Sequence, residues 1–333
     1  MNKRNGADMK ELTVNLGERS YPIYIGEGLI LQAGELLRKR GIDGKSPLMV
    51  VSDKQVAARY LQPLTDVLQA EGFRVTHFVV PAGEKSKSLN VLEEIVTNAL
   101  RAGLDRKSVF IALGGGVVGD LAGFAAAVYM RGVRFVQMPT TILAHDSSVG
   151  GKVAVNHKLA KNIIGAFHQP EAVIYDLSTL RTLPEREVRA GLAEVVKHGF
   201  IWDRDFVRWC EQNAQALLSL DMEALQYALF QGCQIKAHIV SQDERESGLR
   251  AILNLGHTIG HALEAVARYD EFLHGEAVAI GMVGAARLAQ YVGFSGQLAG
   301  EVERVLRKFN LPVRIPEHLD TDEIMRAMMH DKK

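Results

Sequence analysis

Three histidines and two carboxylates fall close together in one part of this sequence. His257, His261 and Glu264 lie in an otherwise apolar run, and His274-Gly-Glu276 follows a short stretch later. On a helix, His257 and His261 would lie one turn apart on the same face, which Glu264 continues. Two imidazoles at that spacing predict a site for a zinc-type ion. The alternative is an ordinary amphipathic helix whose histidines are satisfied by hydrogen bonds.

A glycine-rich segment predicts a phosphate-binding loop. Residues 109–113 are typical of a strand, Gly114, Gly116 and Gly119 follow, and a helical run begins there. This spacing matches the dinucleotide-binding fingerprint, in which backbone N–H groups and a helix N-terminus approach a pyrophosphate. A purely structural glycine turn is the alternative.

The acidic residue that should bind ribose is not at its usual place in this pattern. Pro139 and Thr140 stand where an acid is expected, about twenty residues after the glycines. Asp53, directly after a strand-like run, is the candidate instead. A second turn over residues 81–87 also follows a strand-like run, and it either binds the nucleotide or forms a solvated loop.

Basic side chains recur in polar segments of the chain. The run from Asp146 to Lys152 is rich in glycine, and together with Lys161-Asn162 it predicts irregular structure. Glu194 and Lys197 share one face of a predicted apolar helix, either as a buried functional pair or as a surface ion pair.

More cations flank the histidine segment. Lys236 and Arg250 precede it, and Asp331-Lys332-Lys333 ends the sequence. Cations that converge without partners would each carry an unpaired-charge penalty. If they converge, we expect an anionic ligand such as a phosphate or a carboxylate to complete the site.

The order of predicted elements indicates an α/β domain followed by a helical one. Strand-like runs alternate with helical patterns in the first half, which favours a mostly parallel, Rossmann-like sheet flanked by helices. We expect an α/β nucleotide-binding domain over residues 1–178, an all-α domain over residues 179–333, and the active site in the cleft between them. The predicted strands are Tyr21–Ile25, Leu48–Ser52, Val75–Val80, Ser108–Leu113, Phe135–Pro139 and Ala172–Asp176.

Composition limits the classes of function. The 333 residues are 47% hydrophobic, and 39 basic residues balance 39 acidic ones. A formal net charge of zero gives no global field that would bind nucleic acid or an anionic membrane. Two cysteines, Cys210 and Cys233, and the lack of a membrane-length apolar run favour a cytoplasmic protein. Residues 1–8 are polar and predict a disordered leader.

Taken together, these segments resemble the 3-dehydroquinate synthase family of sugar phosphate cyclases over essentially the whole chain. The sequence departs from the family pattern at His145, which stands alone between Ala144 and Asp146 where relatives usually have two residues. The segments that carry the resemblance are Gly114–Asp120, Arg131-Gly132, Pro139–Thr141, Asp146–Lys152, Glu194–Lys197, Asn254–His261 and His274–Glu276.

The resemblance implies a homodimeric enzyme of the shikimate pathway that uses NAD+ and a divalent zinc or cobalt ion. Its substrate would be 3-deoxy-D-arabino-heptulosonate 7-phosphate, and its products 3-dehydroquinate and phosphate. Transient oxidation, phosphate elimination, re-reduction, ring opening and an intramolecular aldol closure would leave no net redox change. Arg131 would reach the active site of the neighbouring subunit.

The resemblance also implies roles for individual residues. The metal ligands would be Glu194, His257 and His274, which replaces the histidine pair suggested by spacing alone. His261 would face the substrate, and Glu264 would be structural. Catalytic roles would fall to Asp146, Lys152, Lys197, Asn254 and His261.

Two further groups of residues would bind the substrate and the nucleotide. The substrate would contact Arg131, Asn162, Lys236, Arg250, Lys332 and Lys333. NAD+ would contact Asp53, Gly83, Glu84, Lys85, Lys87, Gly115, Gly116, Val117, Val118, Gly119, Asp120, Thr140, Thr141, Lys152, Lys161, Asn162, Thr179, Leu180, Arg181 and Thr182.

Three alternatives stay open at this point. A metal-dependent polyol or alcohol dehydrogenase also combines a glycine loop with a histidine metal site, but it would release NADH. Another sugar phosphate cyclase would share the metal and the nucleotide and differ in its substrate. A regulator that binds NAD or a sugar phosphate without chemistry is the non-enzymatic alternative.

Overall fold

The computed structural model describes residues 9–268, 271–294 and 296–329, and the chain divides into two compact units after Thr182. The predicted leader over residues 1–8 and the predicted substrate contacts Lys332 and Lys333 lie outside the described residues.

The first unit is built around a mostly parallel sheet, as predicted. In the described part of the chain, seven strands form this sheet in the order β1-β2-β9-β6-β5-β3-β4. Strand β1 pairs antiparallel with β2, and the other neighbours are parallel. The strands of the unit are β1 (Lys10–Val14), β2 (Tyr21–Gly26), β3 (Leu48–Asp53), β4 (Val75–Val80), β5 (Val109–Gly114), β6 (Arg134–Pro139), β7 (Lys152–His157), β8 (Ala160–Phe167) and β9 (Ala172–Asp176).

Helices cover the sheet. Consecutive side chains of a strand point to opposite faces, and β5 shows both cores: Phe110 packs into one apolar cluster and Ile111 into the other. Burial on both faces explains why the central strands are apolar without alternation. The helices of this unit are α1 (Ala33–Lys39), α2 (Lys54–Val56), α3 (Gln62–Ala70), α4 (Leu89–Arg101), α5 (Gly116–Val128) and α6 (Ala144–Ser147).

Residues 152–167 correct one expectation. We expected irregular structure around Lys152 and Lys161-Asn162, but these residues belong to the antiparallel hairpin β7–β8. Val153 and Val155 alternate with less apolar neighbours and pack into the same buried cluster as Phe110. That alternation is the sequence signal for a half-buried strand, and the nearby glycines masked it. Strand β1 was not predicted either.

The second unit is helical, in agreement with the sequence. None of its described residues forms a strand. Carboxylates begin two of the helices, since Asp203 accepts the N–H groups of Asp205 and Phe206, and Asp221 accepts that of Ala224. The helices are α7 (Glu185–Trp202), α8 (Arg204–Gln212), α9 (Ala214–Leu218), α10 (Met222–Gln242), α11 (His257–Val266), α12 (His274–Tyr291), α13 (Leu298–Lys308) and α14 (Thr321–Met329).

Among the described residues, no helix combines the length and the apolar character needed to cross a bilayer.

Candidate active site

Helix α12 approaches α7 so closely that only a glycine fits between them. A Cβ atom on Gly275 would lie 1.8 Å from the carbonyl oxygen of Ala190. Gly275 directly follows His274 at the start of α12, and Ala190 lies one helical turn before Glu194 on α7. This backbone contact therefore brings Glu194 and His274 together.

Helix α12 meets the start of α11 in the same way. A Cβ atom on Gly281 would lie 1.9 Å from the carbonyl oxygen of Gly256. Gly256 has a φ of 80° and begins α11, so that His257 is the first residue of that helix. The two glycine contacts thus direct ligand-bearing positions of α7, α11 and α12 toward one place.

Four side chains converge there. The imidazole centroids of His257, His261 and His274 lie 5.2 to 5.8 Å from one another. Nitrogen atoms of all three rings fall within 4.8 Å of each other. Oε1 of Glu194 lies 3.9 Å from Nε2 of His257 and 3.7 Å from Nε2 of His274.

These distances fit a divalent metal ion. A tetrahedral ion bound at about 2.0–2.1 Å by nitrogen and oxygen holds neighbouring ligand atoms about 3.3–3.4 Å apart. The separations of 3.7 and 3.9 Å exceed that value by only a few tenths of an ångström. The spacing argument paired His257 with His261, and the structure adds His274 and Glu194 to that pair. Which of the four are ligands stays a prediction.

Glu194 also forms a buried ion pair. Its Oε2 forms an ion pair with Nζ of Lys197, and both side chains are only 1% exposed. The alternative of a surface ion pair is therefore wrong. Removing one partner from such a pair leaves a buried charge uncompensated, which makes the pair sensitive to substitution.

His274 has a second carboxylate neighbour. Its Nδ1 lies 3.1 Å from Oε2 of Glu264, which is buried on α11. Burial alone lowers the pKa of His274, but the hydrogen bond and charge of Glu264, with the charge of Glu194, raise it overall. Sequence reasoning missed this contact, because the two residues are ten positions apart and lie on different helices.

A turn organised by Asp243 holds the predicted substrate residue Arg250. Its carboxylate accepts the backbone N–H groups of Ser247, Gly248 and Arg250, and these bonds lower the pKa of Asp243 to about 2. Arg250 is 2% exposed and donates to the carbonyl of Glu244. Sequence reasoning missed Asp243, although an aspartate followed by Ser247 and Gly248 is a turn signal.

Lys236 and Asn254 are the other residues in this part of the unit with a predicted substrate or catalytic role. Lys236 is buried on α10. Asn254 ends the 3₁₀ turn Leu249–Asn254, and its Nδ2 donates to Glu246 at 2.6 Å. Lys197, Lys236 and Arg250 thus give the second unit three buried cations.

The glycine loop of the first unit has the predicted form. Strand β5 ends at Gly114, and α5 begins at Gly116 with free N–H groups at its first turn. A Cβ atom on Gly114 would lie 2.7 Å from the side chain of Val118. Among the described residues, the buried hydroxyl of Thr140 has no hydrogen-bond partner, which suits a site completed by a ligand.

Most of the predicted nucleotide residues share one edge of the sheet, whereas Lys152, Lys161 and Asn162 lie in the hairpin β7–β8. Those at the edge follow parallel strands, whose carboxyl ends meet at the same edge, where ligands of such folds bind. Asp53 ends β3 and accepts the N–H groups of Gln55 and Val56. The group follows β3, β4, β5, β6 and β9 and comprises Asp53, Gly83–Lys87, Gly115–Asp120, Thr140–Thr141 and Thr179–Thr182.

Lys87 joins three segments of this unit. It is buried, its Nζ lies 2.5 Å from Oδ2 of Asp120, and it also donates to Oδ1 of Asn162. The alternative of a solvated loop is therefore wrong for this residue. Asn156 was not predicted, although it donates to Glu84 and accepts the N–H group of Asn162.

The remaining predicted residues of the first unit lie between α6 and β8. Asp146 belongs to the short helix α6, Lys152 begins β7 and Lys161 lies in β8.

Tyr60 was also missed by sequence reasoning: its hydroxyl contacts the carbonyl oxygen of Thr179 and the hydroxyl of Thr182.

Arg131 lies in a strained segment. Met130, Arg131 and Gly132 have consecutive φ values of 48°, 68° and 116°. Non-glycine residues in this left-handed region cost about 1–3 kcal/mol each and cluster at functional sites.

Comparisons with known proteins show to which family the chain is similar. A family model described as 3-dehydroquinate synthase N-terminal matches residues 77–190, and one described as 3-dehydroquinate synthase C-terminal matches residues 191–333. The 3-dehydroquinate synthase of Desulforamulus reducens is 51% identical over 327 residues, which cover 98% of this chain and 90% of that protein.

Two solved structures with bound cofactors have the same fold. The 2-deoxy-scyllo-inosose synthase complex with carbaglucose-6-phosphate, NAD+ and Co2+ has a TM-score of 0.87 and 27% identity, covering 97% of this chain and 88% of that one. The 2-epi-5-epi-valiolone synthase of Streptomyces hygroscopicus subsp. jinggangensis, with NAD+ and Zn2+ bound, has a TM-score of 0.85 and 28% identity, covering 95% and 87%.

We predict that Gly275→Ala disrupts the convergence of α7 and α12. The new methyl group meets a backbone oxygen, so the helices must separate, at a cost of about 1–3 kcal/mol or more. Thermal unfolding and zinc titration should show a lower Tm and weaker zinc binding. Gly300→Ala on α13 is the control, because its Cβ meets nothing within 4 Å; it should be neutral or slightly stabilising. Unchanged zinc affinity in Gly275→Ala would contradict the argument.

We predict a pH-dependent effect of Asp243→Asn. The folded protein lowers the pKa of Asp243 from its ordinary value of 3.8 to about 2. The ionised carboxylate therefore stabilises the fold fully at pH values above 3.8, and this stabilisation is lost as the pH falls through about 2. Thermal unfolding should show a lower Tm for the variant at neutral pH, with the difference narrowing over that acidic range. Asp205→Asn, which changes an exposed carboxylate, is the control. Equal Tm values for Asp243→Asn and the unmodified protein at neutral pH would exclude the role.

Proposed function

The chain belongs to the 3-dehydroquinate synthase family, and from that membership we propose that it converts 3-deoxy-D-arabino-heptulosonate 7-phosphate to 3-dehydroquinate and phosphate. The resemblance noted in the sequence is thereby confirmed at the level of the family. The observation that carries the proposal is the cluster of Glu194, His257, His261 and His274 in a unit that also buries three cations.

Two cofactors belong to the proposal. When bound, a zinc or cobalt ion supplies Lewis-acid polarisation of a substrate oxygen, and NAD+ accepts and returns a hydride. Glu194, His257 and His274 would hold the ion. The loop Gly115–Asp120, Asp53, Thr140 and the Lys87 turn would hold the nucleotide. The orphaned hydroxyl of Thr140 and the open first turn of α5 support this assignment.

The chain's own cations suit an anionic substrate. Lys197, Lys236 and Arg250 are all buried in the second unit. A substrate with a carboxylate and a phosphate offers oxygen acceptors to such cations, and charge-assisted hydrogen bonds would set its orientation. His261 lies beside the proposed ligands, where we expect it to hold the phosphate group. We infer that the protein mainly keeps one polyanionic substrate in register through successive steps.

Asp146, Lys152, Asn162 and Asn254 keep their proposed roles in substrate contact or catalysis. The buried cations favour a sugar phosphate over an uncharged polyol, which weighs against the dehydrogenase. Location in the cytoplasm stays a prediction from the sequence.

We also propose that the enzyme is a homodimer in which Arg131 contacts the phosphate in the neighbouring subunit's site. The strained backbone at Met130 and Arg131 supports a functional role, because the fold must stabilise a conformation that other residues avoid.

We predict that the protein releases one phosphate for each heptulosonate phosphate consumed, with catalytic NAD+ and added zinc. No net NADH should accumulate, because the proposed reaction has no net redox change. Phosphate release and NADH absorbance are measured in parallel, with glycerol as the alternative substrate. NADH formation from glycerol without phosphate release would favour the dehydrogenase. Phosphate release from a different sugar phosphate alone would identify another cyclase, and binding without turnover would favour the regulator.

We predict that Arg131→Ala and His257→Ala subunits complement each other. Each homodimer should have little activity, and His257→Ala should retain little zinc by metal analysis. After subunit exchange, about half of the dimers are mixed and each has one undamaged site, so activity should approach about one quarter of the unmodified level.

The control pair is His257→Ala with His274→Ala. If the ligands of one ion come from one subunit, both sites of each mixed dimer are damaged and no activity returns. Failure of the Arg131 pair to recover, with subunit exchange demonstrated, would exclude a role for Arg131 across the dimer.

A further inference from the structure

Glu264 contacts a proposed metal ligand without being one of the proposed ligands. Its Oε2 lies 3.1 Å from Nδ1 of His274, and the side chain is 5% exposed. The contact links α11 to the first residue of α12. The other ring nitrogen, Nε2, lies 3.7 Å from Oε1 of Glu194. The ring of His274 is therefore placed between two carboxylates, with one nitrogen toward each.

The two carboxylate contacts determine which nitrogen of His274 carries the proton. A neutral imidazole has one N–H donor and one lone-pair acceptor, and an ionised carboxylate only accepts. The contact with Glu264 therefore selects the tautomer with its proton on Nδ1. Nε2 then presents its lone pair on the side of Glu194, where a metal ion needs it.

We propose that Glu264 is a positioning residue for His274: it fixes the tautomer and the ring orientation in which Nε2 binds the metal ion. This inference depends on the metal site under Proposed function and adds a residue to it. It also corrects the expectation that Glu264 is only structural. Carboxylates that hold the second nitrogen of a ligating histidine typically change metal affinity by 10- to 100-fold.

The backbone of His274 is fixed by a different carboxylate. Oε2 of Glu276 accepts the N–H group of Leu273, and Glu276 also forms two hydrogen bonds of 2.7 Å with Arg186. Glu276 thus fixes the backbone where α12 begins, while Glu264 fixes the orientation of the imidazole ring of His274. This division of roles makes Glu264 the residue whose replacement should change the tautomer without removing the cap of the helix.

The first experiment measures zinc and cobalt affinity of the full-length protein by competition with a chelator. Glu264→Ala should weaken affinity about 10- to 100-fold. Glu264→Gln should weaken it less, because the amide oxygen can accept the same proton. Leu263→Ala is the control, since it removes apolar packing beside Glu264 on the same helix, in a core with Ile280 and Ile324. A loss of affinity in Glu264→Ala no larger than that in Leu263→Ala would overturn the proposal.

The second experiment reads the tautomer directly. ¹⁵N NMR of the metal-free protein, at a pH above the pKa of His274, distinguishes Nδ1–H from Nε2–H imidazole, and His274→Gln assigns the signal. We expect the Nδ1–H form in the unmodified protein and in Glu264→Gln, and a mixture in Glu264→Ala. An Nε2–H form in the unmodified protein, or no change in Glu264→Ala, would overturn the proposal.

The two readouts separate this inference from the proposed function. If the unmodified protein binds no zinc, the metal site fails and the inference fails with it. If zinc binds and the tautomer responds to Glu264 while the heptulosonate phosphate is not consumed, the positioning role stands and the proposed reaction fails.

Discussion

Everything at the histidine cluster depends on the contact of helix backbones through glycine. Gly275 lies against Ala190 and Gly281 against Gly256, in each case at a distance that leaves no room for a side chain. Metal ligands must be placed within a few tenths of an ångström, and contacts between side chains rarely give that accuracy. Contact between backbones does, because a rigid helix cannot move closer to its neighbour without a clash between main-chain atoms. Glycine lowers the stability of a helix, but at Gly275 and Gly281 it allows the close helix contact that a larger residue would prevent.

The close helix contact also concentrates charge in a place that is poorly solvated. Glu194 and Lys197 are almost completely buried, and Lys236 and Arg250 are buried in the same unit. Such groups stabilise a fold only when they are paired, and their removal is costly. At the turn of Asp243, backbone groups stabilise a charge in place of a side chain. Three N–H groups bind one carboxylate there, and one of them belongs to Arg250.

Local patterns in the sequence predicted the features that residues close together in the chain determine. The apolar strands, the loop Gly114–Gly119 and the helical second half follow from periodicity and from glycine spacing. Contacts between residues that are distant in the sequence depend on the three-dimensional structure, and the sequence did not predict them. Glu264 and His274 lie on two different helices, and Asn156 contacts Glu84 from a distant segment of the chain. The ligand candidates Glu194 and His274 came from resemblance to a family, because spacing alone pairs only His257 with His261.

Two carboxylates of similar burial thus differ in what they can do at the metal site. Glu194 extends from α7 with one oxygen toward Lys197 and the other toward two imidazoles, which suits a ligand whose charge is already partly balanced. Glu264 faces the opposite nitrogen of His274, where it can accept a proton but lies behind the ring as seen from the cluster. The roles follow from position, since the side chains are chemically identical. A change from glutamate to glutamine should therefore have different consequences at the two positions: loss of a ligand charge at Glu194, and a retained hydrogen-bond acceptor at Glu264.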